Sequence, residues 1–478
     1  MGNSQRTTSI HTLDDDSLLH VFYLHRPILS DEDEDEATRA IGGKYWVHGR
    51  WWYSLAHVCQ RWRNIVLGSA SYLELSLVCT FGTPIADMLA HSPPFPLVID
   101  YYSGVRKMSA EDEQGVIFVL KQRERILRVR FTPPVTNLQN FIAAMDEEYP
   151  ILEYLVIALP RGDNSTTLIF PETLQAPRLR LLRLAGFALP IGCRLLTTAV
   201  SLVTLYLQMT HPSTYFHPNT LLQWISLMPQ LEMLIIFCIP NHDLERQLTH
   251  MPTITPVTLP NLRCFWFYGF STYLEALLHR ITTPLLEKLD ISFFNQLTFF
   301  VPRLLQSLNS TESLRFHTAN LSFFNHKAEM AIYPHGDIVE VEMYSFAISV
   351  YCWHLDWQIS SMTQISNSLS QIFSVLEHLT LQHEKHSRSS EEHNSVDRTE
   401  WRGLLSPFRN VKTLRIVVDG LVEELSRCLQ LEDGEHPLEL LPELQELTYY
   451  GSGNADDAFT SFIDARQNAG HPVALVRL

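Results

Sequence analysis

The sequence predicts an α/β fold in which a short helical region precedes a long array of strands and helices. Two observations carry this prediction. Apolar residues recur at helical spacing within the first 72 residues, and an apolar-x-x-apolar-x-apolar pattern recurs along the rest of the chain. With 478 residues, 46% of them hydrophobic, the chain can bury a large core.

Composition argues against several classes of function. The 52 acidic residues outnumber the 36 basic ones, which opposes sequence-independent binding to nucleic acid, because its phosphates attract Lys and Arg. No apolar run reaches the roughly 18 residues of a membrane span, so no membrane contact is predicted. The seven cysteines are scattered without a CxxC pair, which favours reduced thiols in a cytoplasmic or nuclear protein.

The first predicted helix begins near Asp14. Either Thr12 or Asp14 can cap it, and Asp15 and Asp16 suit the positive end of its dipole. Its apolar side is formed by Leu18, Leu19, Val21 and Phe22.

A second helix is predicted from about Trp52 to Leu67. Its apolar residues follow the spacing i, i+3, i+4, i+7, i+10 and i+11, which places them on one stripe. These residues are Leu55, Val58, Cys59, Trp62, Ile65 and Val66. By periodicity alone, the two helices are a hairpin that caps a larger domain.

The residue types along the two helices resemble an F-box. The first half is Ile10-x-x-Leu13-x-x-Asp16-x-Leu18-Leu19-x-x-Phe22, and the second is Leu55-Ala56-His57-Val58-Cys59-Gln60-Arg61-Trp62-Arg63-Asn64-Ile65. The Val-Cys-x-x-Trp-Arg run is the most specific part. The sequence departs from the family pattern at Asp14, where Pro is usual, and by about 20 extra residues between the halves, which include the acidic run 31–36.

The resemblance implies a binding role. An F-box inserts an apolar face against the helices of a Skp-type adaptor, which connects it to the cullin scaffold of a ubiquitin ligase. The adaptor-binding candidates carried over from the resemblance, some of which must be the module's own core, are Leu13, Leu18, Leu19, Phe22, Leu55, Val58, Cys59 and Trp62.

The remaining four hundred residues carry a repeated strand pattern. Its clear copies start at Leu152, Leu179, Leu202, Leu231, Leu262, Leu286, Leu376, Val411 and Leu444. Weaker strand candidates are Leu73–Leu77, Leu97–Tyr101, Leu127–Phe131, Leu314–Phe316 and Val339–Met343.

Amphipathic stretches between the copies predict helices at Asn219–Met228, Ser271–Ile281 and Val301–Leu308. The aromatic and β-branched segment Ile338–Trp357 predicts a longer strand pair. The end of the chain, Phe459–Leu478, predicts a helix, a turn and a closing strand.

A strand, a turn and a helix repeated every 25 to 30 residues or so resemble an irregular leucine-rich repeat. That resemblance implies a solenoid with a curved parallel sheet. The family's usual Asn or Cys after the strand is mostly missing, with Cys238 as an exception. The alternative is an ordinary α/β domain whose parallel strands are buried on both faces.

These patterns predict three regions. Residues 1–8 are expected to be disordered, and residues 9–72 to form the F-box-like helical domain, with an acidic insertion at about 30–48. Residues 73–478 are expected to form the solenoid, with a polar loop at about 383–400.

In a leucine-rich solenoid, the residues between the buried apolar positions face the concave surface. An apolar and aromatic set at these positions suits recognition of a protein target, and its members are Tyr206, Met233, Ile235, Phe237, Trp266 and Tyr268. Other strands place polar residues there, namely Arg183, Lys288, Asp290 and Arg415. The alternative is that a loop or a second layer covers this face.

Signals of catalysis and metal binding are weak. The turn 451–453, Gly-Ser-Gly, lacks the spacing of a GxSxG nucleophile turn. The histidines at 383, 386 and 393 lack the HExxH spacing of a zinc site. The sequence therefore predicts no catalytic residue, metal or cofactor. A hydrolase on an α/β core would need a nucleophile, base and acid that folding brings together.

The expected function is that of the substrate-recognition subunit of an SCF-type (Skp–cullin–F-box) ubiquitin ligase. In that role the helical domain binds the adaptor and the repeats bind a target protein. The alternative is a leucine-rich-repeat binding scaffold without a role in ubiquitin transfer.

Overall fold

A computed structural model describes residues 10–26, 50–102, 108–132, 135–159, 168–209, 214–238, 256–294, 296, 298–311, 313–334, 344–383, 396–417, 419–432, 435–450 and 458–477. The chain forms two compact units, Met1–Leu207 and Gln208–Leu478. Both are mixed α/β, which confirms the predicted fold class at that level. The predicted domain boundary near residue 72 stays a prediction.

The first unit begins with helices and continues as a parallel sheet. Its helices are α1 (Asp15–Leu24), α2 (Trp51–Ala56), α3 (Gln60–Gly68), α4 (Ile85–His91), α5 (Ala110–Leu120), α6 (Val135–Ala144) and α7 (Arg194–Thr198). Its strands are β1 (Leu77–Cys79), β2 (Leu97–Tyr101), β3 (Ile126–Phe131), β4 (Tyr154–Ala158), β5 (Leu168–Ile169), β6 (Leu181–Ala185), β7 (Phe187–Ala188) and β8 (Thr204–Met209). Strands β1, β2, β3, β4 and β6 pair in that order, all parallel.

The second unit has the same alternation of helices and strands. Its helices are α8 (Pro218–Ile225), α9 (Ser271–Leu278), α10 (Pro302–Ser310), α11 (Leu355–Ser368), α12 (Ser370–Phe373), α13 (Arg398–Leu405), α14 (Asp419–Leu429) and α15 (Thr460–Asn468). Its strands are β9 (Met233–Cys238), β10 (Val257–Thr258), β11 (Cys264–Gly269), β12 (Ile281–Thr282), β13 (Lys288–Phe294), β14 (Thr318–Phe324), β15 (Lys327–Tyr333), β16 (Phe346–Tyr351), β17 (His378–His383), β18 (Thr413–Ile416), β19 (Glu446–Tyr449) and β20 (Ala474–Arg477).

The sheet of the second unit is parallel except at one strand. Its order is β9, β11, β13, β16, β15, β14, β17, β18, β19, β20, and only β15 runs antiparallel to both neighbours. A hairpin of β14 and β15 is thus inserted, and β16 pairs with β13 ahead of it. The predicted strand pair within Ile338–Trp357 is wrong for its described part, because β16 pairs instead with β13 and β15. Residues 335–343, with the candidate Val339–Met343, lie outside the described residues.

The nine clear copies of the repeated pattern are all confirmed as strands. Each strand begins two residues after the first apolar residue of its copy, as Tyr154 follows Leu152 and Lys288 follows Leu286. These leading residues are all buried, and a turn places them. In eight of the nine copies the backbone N–H of the first apolar residue donates to the carbonyl three residues earlier, as Leu202 does to Ala199.

Two of the weaker strand candidates are wrong. Residues 73–74 form a turn and 75–76 are irregular, so β1 starts only at Leu77; Glu74 has a φ of 51°, which interrupts extended backbone. The segment Leu314–Phe316 is irregular and leads to β14, which starts at Thr318. The candidates at Leu97–Tyr101 and Leu127–Phe131 are confirmed as β2 and β3.

The helix predictions of the second unit are confirmed as α8, α9 and α10. The terminal helix and strand are confirmed as α15 and β20, with Gly470 at a φ of 81° in the turn between them. Arg466 of α15 is 0% exposed and donates hydrogen bonds to the carbonyls of Pro437, Pro442 and Leu444. These bonds fix the terminal helix to the loop that precedes β19.

Helix α5 offers a test of local stability, because Ser109 closes a capping box at its start. Ser109 Oγ accepts the Asp112 N–H at 3.0 Å, and Asp112 Oδ2 accepts the Ser109 N–H at 3.2 Å. We expect Ser109→Ala to lower the free energy of unfolding by about 1 kcal/mol in urea denaturation, since the helix loses its cap. Ser201→Ala, at an exposed position, is the control. Equal stability of the two variants contradicts the prediction.

No helix within the described ranges is both long enough and apolar enough to span a bilayer.

Candidate functional site

Helices α1 and α3 form one packed element at the start of the chain. The rings of Phe22 and Trp62 lie 4.8 Å apart. Arg61 donates from Nε to Asp15 Oδ1 at 2.8 Å and from Nη2 to the Leu13 carbonyl at 2.6 Å. Asp14 caps α1 by accepting the Ser17 N–H at 2.7 Å, and this bond lowers the pKa of the Asp14 carboxyl.

The prediction of a single helix from Trp52 to Leu67 is wrong. Helix α2 ends at Ala56, and Cys59 adopts extended backbone (φ −159°, ψ 169°) before α3 begins. Arg63 Nε donates to the Ala56 carbonyl at 3.0 Å, which satisfies one carbonyl at the end of α2. The break turns Val58 out of the stripe, and its side chain is 57% exposed.

The eight adaptor-binding candidates therefore divide into three groups. Leu18, Phe22 and Leu55 are buried in the first unit's core, at 0%, 1% and 8% exposure. Val58 alone among the eight is fully on the surface. The partly buried remainder comprises Leu13, Leu19, Cys59 and Trp62.

A set of exposed apolar side chains accompanies Val58, and sequence reasoning did not single out most of it. Within the set, the rings of Tyr23 and Tyr72 lie 5.1 Å apart, and Arg26 lies 5.8 Å over the Tyr23 ring. Val21 and Leu24 are three residues apart on α1, which places them on one face. We call these side chains the exposed apolar set: Ile10, Val21, Tyr23, Leu24, Val58 and Tyr72.

A second candidate surface lies on the sheet of the second unit. Strand register places alternate residues of β9, β11, β13 and β16 on one face. On that face Phe237 lies 5.4 Å from Tyr268 and 5.5 Å from Phe294, and Phe294 lies 5.0 Å from Tyr351, all between ring centroids. We call Phe237, Tyr268, Phe294 and Tyr351 the aromatic row. All four are half-buried, so their ring faces are partly open to a ligand.

The target-binding candidates fall partly on this row. Phe237 and Tyr268 belong to it, whereas Ile235 and Trp266, which precede them by two residues on the same face, are only 1% and 8% exposed. Met233 is half-buried at the other end of β9. The middle of these strands is therefore buried on this face, as expected if a loop or a second layer covers it.

The sixth candidate, Tyr206, lies on β8 in the first unit, where the Arg183 guanidinium stacks 4.1 Å over its ring. The structure therefore does not bring Tyr206 into the aromatic row. Sequence reasoning missed Phe294 and Tyr351, although both lie at alternate positions of strands rich in aromatic residues.

A polar group adjoins the aromatic row on β13. The Tyr344 hydroxyl donates to Asp290 Oδ2 at 2.7 Å. Lys288 Nζ lies 4.3 Å from the centre of the Tyr344 ring and 5.8 Å from that of Trp266. Within the described part of the chain, Trp266 Nε1 is buried and has no hydrogen-bond partner. This face therefore places a cation and an acid beside aromatic rings.

Burial, with a smaller contribution from the nearby Glu329, raises the pKa of Asp290 to about 6. The hydrogen bond from Tyr344 and the charges of Lys288 and Lys327 oppose this rise. Asp290 therefore exchanges a proton near neutral pH, unlike an ordinary surface aspartate.

Several segments considered in the sequence analysis fall outside the part of the chain that the structure describes. The turn 451–453, the histidines at 386 and 393, the acidic run 31–36 and the residues 1–8 lie outside the described residues. His383, at the end of β17, is described and half-buried.

No protein-family model matches the chain, and no curated protein matches it in a sequence search.

Proposed function

We propose that this chain is the substrate-recognition subunit of an SCF-type ubiquitin ligase. The helices α1–α3 bind a Skp-type adaptor, and through it a cullin scaffold, while the repeats hold a protein target. The observation that carries the proposal is the exposed apolar set. It holds six of the seventeen exposed large apolar side chains of the described residues, within residues 10–72. Apolar side chains left exposed in this number within one short stretch of the chain support an interaction role for that stretch.

The F-box-like run gains support from the way the helices pack. In the run Val58-Cys59-x-x-Trp62-Arg63, Trp62 packs on Phe22 of the first half, and Arg63 closes the end of α2. The two halves of the resemblance therefore form one module despite the acidic insertion between them. A long loop whose ends lie close together costs little free energy.

The leucine-rich-repeat part of the proposal is supported by a recurring backbone unit. The carbonyl before one strand accepts both N–H groups at the start of the next, as Arg263 accepts from Glu287 and Lys288. Glu153, Arg180, Glu232, Glu377 and Lys412 accept in the same way. Repetition of one such unit is the hallmark of a solenoid, in which each repeat packs on its neighbours.

In this role the chain contributes proximity. Holding the target beside the ubiquitin-conjugating enzyme raises the effective concentration of its lysines, so the chain supplies no catalytic residue and no cofactor. We place the complex in the cytoplasm or the nucleus. None of the seven cysteines, which all lie in described residues, forms a disulfide, and this suits a reducing compartment.

Co-expression of the full chain with a Skp-type adaptor tests the proposal. We expect the two proteins to co-elute in size-exclusion chromatography and to recruit the cullin scaffold. Separate elution overturns the ubiquitin-ligase assignment. If targets are still recovered by affinity purification in that case, the chain is a leucine-rich-repeat scaffold without a role in ubiquitin transfer.

The aromatic row supplies a prediction about the target. We expect the double variant Phe294→Ala, Tyr351→Ala to reduce target recovery in quantitative affinity purification by about tenfold or more, because aromatic anchors dominate interface energies. Adaptor recovery is expected to remain at the wild-type level. Phe300→Ala, at an 80% exposed position outside the row, is the matched control. Target recovery that is unchanged in the double variant excludes the row as the target site.

A further inference from the structure

Three potential metal ligands meet where β14 and β17 begin. His317 precedes β14, Glu377 precedes β17, and His378 is its first residue. Their ligand atoms all lie within 4.8 Å of one another. The two imidazole rings have centroids 5.0 Å apart and are inclined at 72°.

The backbone holds these side chains in place. The N–H groups of Glu377 and His378 both donate to the His317 carbonyl, at 3.0 and 3.4 Å. The parallel register then pairs Thr318 with His378. The pairing of β14 with β17 therefore fixes the backbone positions of the three ligands, which favours a preorganised site.

We propose that His317, Glu377 and His378 bind a divalent late transition metal, with Zn²⁺ as the representative ion. Two imidazoles and one carboxylate form a donor set that Zn²⁺ accepts, with water completing a tetrahedron. All three side chains are half-buried, so an ion can reach them from solvent. This site goes beyond the adaptor and target surfaces and does not depend on either.

A neighbouring lysine competes with the metal for the carboxylate. Lys412 Nζ, at the approach to β18, lies 2.8 Å from Glu377 Oε2. Removing this positive charge lowers the repulsion of a divalent ion and frees the carboxylate. Lys412→Met is therefore expected to bind Zn²⁺ more tightly than the wild type.

The bound ion would connect the inserted hairpin to the strand that follows it. Strand β14 enters the sheet through the hairpin with β15, and its outer neighbour is β17. A ligand that binds only the folded chain stabilises it by mass action. Zn²⁺ is therefore expected to raise the melting temperature of the wild type.

Calorimetric titration of the metal-free full chain with Zn²⁺ tests the site. We expect one ion to bind, and the double variant His317→Ala, His378→Ala to weaken binding by about tenfold or more. The matched control is His386→Ala, His393→Ala, which removes two histidines of the polar segment 383–400 and is expected to leave binding unchanged. The visible spectrum of bound Co²⁺ reports the same site without reliance on heat.

Three results overturn the proposal. The first is a wild type that binds no Zn²⁺. The second is loss of Zn²⁺ binding in the control His386→Ala, His393→Ala. The third is equal Zn²⁺ binding by the wild type and the double variant His317→Ala, His378→Ala. Circular dichroism of each variant distinguishes loss of ligands from loss of fold. Tighter binding by Lys412→Met supports the proposed involvement of Glu377.

Discussion

Val58→Asp is expected to weaken binding of the proposed Skp-type adaptor strongly while the chain still folds. Val58 is 57% exposed between α2 and α3, so the substitution costs the free chain little. In a complex that covers this position, the aspartate must lose its water without a partner. We expect a loss of about 3 kcal/mol, roughly a hundredfold in Kd, when adaptor affinity is measured by calorimetry or surface plasmon resonance.

Two further variants serve as controls for this experiment. Val200→Asp makes the same change at a position that is 52% exposed in the same unit, and it is expected to bind the adaptor like the wild type. Leu55→Asp places a charge at a position that is only 8% exposed, so it is expected to unfold the helical module. Wild-type affinity of a folded Val58→Asp chain removes the exposed apolar set from the adaptor interface.

The strands were the most predictable part of this fold. In every copy of the repeated pattern the next two apolar residues lie on the buried face of a strand, and in eight of the nine copies the first lies in a turn. Leu286, Leu289 and Ile291 illustrate this, since all three are at most 2% exposed. Burial on one face imposes a period of two, and the sequence must carry that period.

The helical module was less predictable. Periodicity shows which residues could be buried, but it does not show which of them are buried in the folded chain. Val58 fits the same stripe as Leu55 and Val66, yet Cys59 turns the backbone and exposes it. No Gly or Pro marks this break. Core and interface residues are equally apolar, so only the coordinates separate Phe22 from Leu24.

The inserted hairpin could not be predicted either. Phe324 pairs with Lys327, so the loop consists of Asn325 and His326. Neither has a positive φ, and the loop therefore lacks the Asn-Gly type of signal that identifies most two-residue hairpins. The metal-ligand cluster depends on this hairpin, because His317 and His378 are distant in sequence and meet only when β14 pairs with β17.

The sequence predicts Asp290 only as a polar residue on the sheet face. Its effect on stability depends on the groups that surround it in the fold. Burial raises its pKa from an ordinary value of 3.8 to about 6. Between these values the folded chain keeps a proton that the unfolded chain has released. The free energy of unfolding therefore falls as pH rises from about 4 to 6, and at higher pH the buried carboxylate continues to destabilise the folded chain.

Asp290→Asn is expected to remove this pH dependence and to stabilise the chain at pH 7.5 by up to about 3 kcal/mol, from about two pKa units at 1.36 kcal/mol each. The amide oxygen can still accept the hydrogen bond from Tyr344, so the local geometry is retained. Urea denaturation at pH 4 and pH 7.5, followed by tryptophan fluorescence, measures the effect. Asp464→Asn, at an exposed position of α15, makes the same chemical change as a control. If the two variants gain the same stability at pH 7.5, the Asp290 carboxylate is not destabilised by its burial, because both changes then remove only net charge.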